Sequence, residues 1–374
     1  MILSWSLLLI ALGAALIHAF FIARMRSVTK SSAVYPEADF SQPGISVIVC
    51  AKNEAERLDV LIPQILNQNY PCFELLIVDD HSSDRTQQVL TYWKKIDSRV
   101  QCVKFDRKNE AVQGKKAALS YGINRAKYEL LLLTDADCTP GSEHWISAMT
   151  TPFVYGKSIV LGYGAYLKQP GILNALIRFE TSLTAGLYLG QALSGRPYMG
   201  VGRNLAYRKD FFYTQNGFKS HEHIPSGDDD LLINHGANAV DTAVVIEPKA
   251  FTWSAPKESW WSLVRQKRRH QSTAHYYRKS TKLMLGLYSG SLMLFYTCVV
   301  TLGILLAWNS AIFQAVLVLL FLRSAYLIGQ MASLFRRLQT ADLLPWIPLL
   351  EPLLICLQLF IFVWNRFSKP IHWN

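Results

Sequence analysis

The sequence predicts an α/β fold: a doubly wound, mostly parallel sheet with flanking helices, joined to membrane-spanning helices at both ends of the chain. Three observations carry this reading. Apolar runs alternate with helical spacing from residue 44 onward, and apolar stretches long enough to cross a bilayer occupy the two ends. In addition, the string Leu130-Leu131-Leu132-Leu133-Thr134-Asp135-Ala136-Asp137 reads as a buried strand that stops on two carboxylates one residue apart.

Residues 2–23 are apolar apart from Ser4, Ser6 and His18, and Arg24, Arg26 and Lys30 follow them. The positive-inside rule then places the N-terminus outside and the next domain in the cytoplasm. No basic region precedes the apolar run, as a cleaved signal peptide requires. Residues 283–308, 311–334 and 343–364 are three further candidate spans, and the loop carrying Arg336 and Arg337 comes out cytoplasmic in the same topology. Arg323 falls inside the third span, while Pro345, Pro348, Glu351 and Pro352 crowd the fourth. A charge in a span is expected to face other helices or water. The expected division is an anchor at 1–24, a linker at 25–43, a cytoplasmic domain at 44–282, and a membrane region of about three helices at 283–374.

Within the cytoplasmic segment, residues 45–50 form a β-branched strand that ends at Ala51-Lys52-Asn53-Glu54. Leu58, Leu61, Ile62, Ile65 and Leu66 then recur at helical spacing. A second strand, 73–78, ends on Asp79-Asp80, and Ser82-Ser83-Asp84 opens a helix to about residue 95. Residues 100–105 are a third strand, 115–126 a helix and 129–134 the fourth strand. Residues 172–193, which hold Arg178 and Glu180, have the spacing of an amphipathic helix expected to lie on the bilayer.

Composition narrows the class. Hydrophobic residues make up 51% of the chain and charged ones 17%, which suits a membrane protein. The net charge of +11 is not spread as a nucleic-acid footprint: basic residues gather at membrane flanks and at 265–269 and 278–282, where anionic headgroups or phosphorylated substrates attract them. The six cysteines, Cys50, Cys72, Cys102, Cys138, Cys298 and Cys356, show no C-x-x-C pair or zinc spacing and read as reduced thiols.

Two acids at the C-terminal end of a parallel strand are costly to bury unless a cation sits between them and a ligand. Divalent metal with a substrate phosphate satisfies that need. Asp80, at the end of another strand, can accept from a base or ribose, and Gly114-Lys115-Lys116 opens a helix with two cations suited to phosphate. There is no G-x-x-x-x-G-K-[ST] or G-x-G-x-x-G string, which excludes the P-loop and Rossmann dinucleotide readings.

In order, the chain gives Asn53-Glu54, Val78-Asp79-Asp80-His81-Ser82-Ser83-Asp84-Arg85-Thr86, Gly114-Lys115-Lys116-Ala117-Ala118-Leu119 and Asp135-Ala136-Asp137, then Gly227-Asp228-Asp229-Asp230-Leu231 and Gln266-Lys267-Arg268-Arg269-His270. This series resembles the membrane-associated family 2 glycosyltransferases of GT-A fold. It departs from their pattern at Asp228, where Glu is usual, and at His270, where Trp is usual.

The resemblance implies an inverting transfer of sugar from a nucleotide-diphosphate donor to an acceptor hydroxyl. Asn53, Glu54, Asp80, Lys115 and Asp135 are then donor contacts, and Asp137 with Asp135 holds Mg²⁺ or Mn²⁺. Aligned on the acid pair, Asp229 is the expected general base, with Asp228 beside it. Gln266, Arg269 and Arg268 form a clamp on acceptor or diphosphate, and Gly202 and Asn204 belong to an acceptor-side loop. The expected partners are a nucleotide sugar and a membrane lipid or lipid-linked saccharide, with no nucleic acid. The expected location is the bacterial inner membrane, with the catalytic domain in the cytoplasm. Two other readings stand beside this one: an inactive membrane-anchored partner subunit, and a haloacid-dehalogenase-like phosphatase, for which Asp135-Ala136-Asp137-Cys138-Thr139 supplies D-x-D-x-T.

Overall fold

The computed structural model describes residues 2–30, 42–105, 114–224 and 226–368. Residues 31–41, most of the expected linker, lie outside the described residues. Helices α1 (Ile2–Met25) and α2 (Ser27–Lys30) lead to β1 (Ile45–Ala51), α3 (Ala55–Leu66), β2 (Phe73–Asp79), α4 (Thr86–Ile96), β3 (Val100–Lys104), α5 (Lys115–Arg125) and β4 (Leu130–Asp135). Then come β5 (Cys138–Pro140), α6 (Trp145–Val154), β6 (Ile159–Leu161), β7 (Gly164–Tyr166), α7 (Ile172–Leu193), β8 (Leu205–Arg208) and α8 (Lys209–Thr214). The chain continues through α9 (Asp230–Gly236), β9 (Thr242–Val244), β10 (Thr252–Ser254), α10 (Trp260–Thr273), α11 (Lys279–Leu305), α12 (Ala311–Arg337) and α13 (Ile347–Phe367).

The main sheet runs β3-β2-β1-β4-β8-β6-β9, and a small one runs β5-β10-β7. The first four strands are parallel, as the sequence predicts, and β8 turns the sheet antiparallel against β4. Register sets the chemistry: Ala51 pairs with Asp79 and Cys50 with Asp135, so the acids of two strands flank the end of β1. The strands reach their acids, with Asp79 and Asp135 as last residues.

Helix α4 starts at Thr86 rather than at Ser82, because the intervening side chains fasten the loops instead. Asp79 Oδ1 accepts from the Ser82 amide at 3.0 Å, and Asp84 Oδ1 accepts from the Thr86 amide at 3.0 Å.

Alternation of side chains divides the core into two layers. Val47, Val49, Leu75, Ile77, Leu130 and Leu132 pack with Leu58, Ile62 and Trp145 on one face. Ile48, Leu76, Val78, Leu131 and Leu133 belong on the other face to a core that continues through α5 and α7 to Met25 and Leu334 of the membrane helices. The sheet therefore shares one apolar core with the bundle.

Helix α7 occupies 172–193 as expected but is packed inside the protein, since 16 of its 22 residues are buried. It sits between the sheet and the long apolar helices rather than lying on the bilayer. Gly186 permits this, because a Cβ there would come within 2.8 Å of Leu334 and 3.0 Å of Met25.

Among the described residues, four helices are long and apolar enough to cross a membrane: Ile2–Thr29, Lys279–Leu305, Ala311–Arg337 and Ala341–Phe367. Of the prolines of the last, Pro345 sits in a 3₁₀ turn and Pro348 in the first turn of α13, where proline is tolerated, and Pro352 lies inside the helix. Arg323 is buried against Glu351 at 2.5 and 3.0 Å, with His18 and Tyr296 completing the cluster. The charge faces other helices, as the span pattern predicts.

Candidate active site

Asp135 closes β4, and Asp137 and Cys138 follow across a tight turn, so that one potential ligand atom from each lies within 4.8 Å of the others. Burial pushes the Cys138 thiol up to about 12, and its Sγ meets Ser254 Oγ at 3.1 Å. Asp135 and Asp137 supply the carboxylate oxygens of this group. That hard oxygen set fits Mg²⁺ or Mn²⁺.

Lys115 begins α5 directly after Gly114, whose φ of 93° favours glycine. Its Nζ stands 2.7 Å from Asp135 Oδ1 and 3.2 Å from Asp228 Oδ2. The acids of the downstream triplet meet three different fates. Asp229 caps α9: its Oδ1 accepts from the Asp230 amide and its Oδ2 from the Gly202 amide, both at 2.7 Å. Asp230 is consumed structurally, accepting from Leu231 N, Thr273 Oγ1 and Tyr277 OH at 2.7, 2.5 and 2.7 Å. Asp228 faces Lys115.

Their protonation differs accordingly. Burial works to raise the Asp228 carboxyl, yet Lys115, its own backbone amide and Lys116 together hold it below the usual value. Burial, followed by Asp228 and then Asp230, pushes Asp229 up to about 7.

Asp135, Asp137, Lys115, Asp228 and Asp229 border one cavity of about 560 Å³, together with Glu54, Gly202, Gln266 and Arg269. Gln266 donates to Tyr166 OH at 3.2 Å, and Arg269 Nε is buried without a partner among the described residues. Leu176 and Ile177 of α7, Leu285 of α11, and Leu354, Leu357 and Ile361 of α13 also line the cavity, beside Glu180, Thr184 and Gln358 of the same helices.

Four expected site residues have other work. Asn204, fully buried, accepts from Trp145 Nε1 at 3.0 Å and donates to the carbonyls of Tyr163 and Ala250 at 2.9 and 2.7 Å. It braces the sheets and is closed off from the cavity by its burial. Arg268 turns away from the cavity to Asn365 and Ser368 at the end of α13. Asn53, at φ 57°, accepts from the Ser83 amide at 2.8 Å and so joins the loops after β1 and β2. Asp80 is buried at the end of β2, with His81 Nδ1 at 3.3 Å, and is not part of the cavity wall.

Gly202 lies at the cavity, but its amide serves Asp229. Sequence reading missed Arg203 and Tyr166, which line the same space with the guanidinium 4.4 Å from the ring centroid. Arg203 lies between Gly202 and Asn204 of the expected acceptor-side loop. Nothing in the spacing distinguishes it from its neighbours.

A mixed α/β sheet with acids at its strand ends and a lysine between them is a GT-A-like arrangement. Residues 46–213 match the family described as Glycosyl transferase family 2. That match takes in most of the sheet, from β1 to β8, and the Asp135 and Asp137 pair.

Among curated relatives, the chain is 24% identical over 245 residues to a poly-beta-1,6-N-acetyl-D-glucosamine synthase of Staphylococcus epidermidis, covering 62% of this chain and 55% of the relative. It is 31% identical over 184 residues to a beta-monoglucosyldiacylglycerol synthase of Trichormus variabilis, covering 48% of this chain and 36% of the relative. The chain thus spans about half or less of the length of these relatives. The mannosyltransferase PcManGT of Pyrobaculum calidifontis, solved with GDP-Man and Mn²⁺, shares the fold at a TM-score of 0.58, with 18% identity and coverage of 91% of this chain and 96% of that one. The family match stands against the phosphatase reading.

Proposed function

We propose that the protein transfers a sugar, with inversion, from a nucleoside-diphosphate sugar to a hydroxyl of a membrane-presented acceptor, a glycolipid, a polyprenyl-linked sugar or a growing polysaccharide. One observation carries this reading: the carboxylate and lysine cluster lines the same cavity as apolar side chains of α7, α11 and α13. A polar reacting group can thus meet the acids while hydrocarbon lies against the helices.

Asp137 and Asp135 would hold Mg²⁺ or Mn²⁺, which when bound offsets charge on the diphosphate. Asp228 is the base that the geometry favours over Asp229. Both Asp229 oxygens already receive backbone amides, and Asp230 is taken up by Thr273 and Tyr277, whereas Asp228 is kept ionised by Lys115. In the reaction the acceptor hydroxyl oxygen bonds to the anomeric carbon, its proton passes to Asp228, and the carbon–oxygen bond to the diphosphate breaks with its electron pair leaving on that group.

Arg26 at the end of α1 reaches Gln330 near the end of α12 at 3.4 Å, so the basic flanks Arg24, Arg26, Arg336 and Arg337 gather on one side of the bundle. This supports a cytoplasmic catalytic face on a bacterial inner membrane.

The test is a panel of nucleotide sugars incubated with the purified protein and extracted membrane lipids, with Mg²⁺, Mn²⁺ or chelator. The reading predicts metal-dependent labelling of an organic-soluble or polymeric product from one donor. Metal-independent turnover would remove the role given to Asp137.

A further inference from the structure

Arg203 has no part in the reaction as described so far, yet its surroundings give it one. Its carbonyl accepts from Thr134 Oγ1 at 3.1 Å, on the residue before Asp135, and from Thr252 Oγ1 at 3.0 Å on β10. The backbone is thereby pinned beside the carboxylate pair. The guanidinium donates to the Gly164 carbonyl at 2.9 Å and to Ser254 Oγ at 3.3 Å, and lies over Tyr166. Ser254 Oγ in turn meets the Sγ of Cys138, the residue after Asp137. Gly164 leaves the room for this, since a Cβ there would come within 3.1 Å of Arg203 Nε.

Every contact that holds the guanidinium is neutral. Among the described residues no carboxylate stands within ion-pair distance of it, although Asp135 and Asp137 act on it from farther away. A planar cation fixed in a cavity wall by neutral partners keeps N–H groups for an anion.

We propose that Arg203, seated on Tyr166 and Ser254, forms an anion subsite for the terminal phosphate of the nucleoside-diphosphate group. The inference rests on the nucleotide-sugar reading above. Negative charge grows on that phosphate as its bond to the anomeric carbon breaks, and a guanidinium already in place stabilises it without reorganisation. A phosphate carried by the acceptor has the same chemistry, so the test separates the two.

Full-length wild type, Arg203→Ala and Arg203→Lys in detergent are titrated calorimetrically with UDP, UMP, GDP and GMP in Mn²⁺, and separately with a phosphate-headed lipid in mixed micelles. Arg203→Ala is expected to weaken the bound diphosphate about tenfold or more while leaving the matching monophosphate within about twofold. Arg203→Lys keeps the charge but loses the fork and should show a smaller, equally selective loss; it carries the test if the alanine variant does not fold. Equal loss for both nucleotides, or loss for neither, overturns the proposal. Loss confined to the lipid assigns the subsite to the acceptor and overturns the donor assignment. A wild type that binds no nucleoside diphosphate overturns the nucleotide-sugar reading itself, and the subsite with it.

Discussion

The Lys115 ammonium stands 3.2 Å from the Asp228 carboxylate and 2.7 Å from Asp135, so one cation joins the downstream acid triplet to the end of β4. It is this cation that holds Asp228 below the usual carboxylate range against the effect of burial. Lys115→Gln should therefore raise the proton affinity of Asp228 and move the acid limb of the pH–rate profile upward. Transfer rates measured from about pH 5 to 9 are expected to fall about tenfold or more on the acid side and less on the alkaline side. A uniform loss at every pH would contradict this role.

Asp229 gives a stability signature of its own. Its carboxyl rises from 3.8 to about 7 in the fold, so ionisation is resisted in the native state more than in the unfolded chain. A raised acid contributes stability that is fully present below about 3.8 and lost as pH rises through about 7. Thermal unfolding of the donor-free protein should show Tm declining across that window, and Asp229→Asn should flatten the decline. A difference in Tm between the two proteins that stays constant with pH would contradict the assignment.

Asn204→Ala should act on stability and not on acceptor choice. It leaves Trp145 Nε1 and the carbonyls of Tyr163 and Ala250 without their partner in a buried position, at a cost of about 2–4 kcal/mol. The check is Tm together with acceptor KM at a temperature where the variant is folded. A changed KM with unchanged Tm would return Asn204 to the acceptor loop.

Within the bundle, Arg323→Leu leaves Glu351 buried without its cation and should destabilise by about 3–5 kcal/mol. The double variant Arg323→Leu, Glu351→Leu should recover most of that loss. Failure of the double variant to recover would assign the pair a role beyond mutual compensation.

The parts of this fold legible in the sequence are those with a local signal. The buried runs of β1, β2 and β4, the acids that end them and the apolar spans each declare themselves within a few residues. Helix α7 has the expected limits but not the expected surroundings, because burial all round depends on α1, α12 and the sheet arriving from distant parts of the chain. The acid triplet was legible as a group, yet the separate fates of its members depend on Gly202, Thr273, Tyr277 and Lys115, which lie 27 to 113 positions away along the chain. Asn204 and Arg268 were misread for the same reason. Their partners, Trp145, Tyr163 and Ala250 for the one and Asn365 and Ser368 for the other, cannot be inferred from spacing.

Asp228 as the base of the proposed transfer is tested by comparing Asp228→Asn with Asp229→Asn for donor binding and for transfer. Asp228→Asn should bind the nucleoside diphosphate in Mn²⁺ about as well as wild type while transfer falls by about 10²–10⁴, and Asp229→Asn should keep transfer within about tenfold. Transfer at the wild-type rate by Asp228→Asn, with the loss falling on Asp229→Asn instead, would contradict the account.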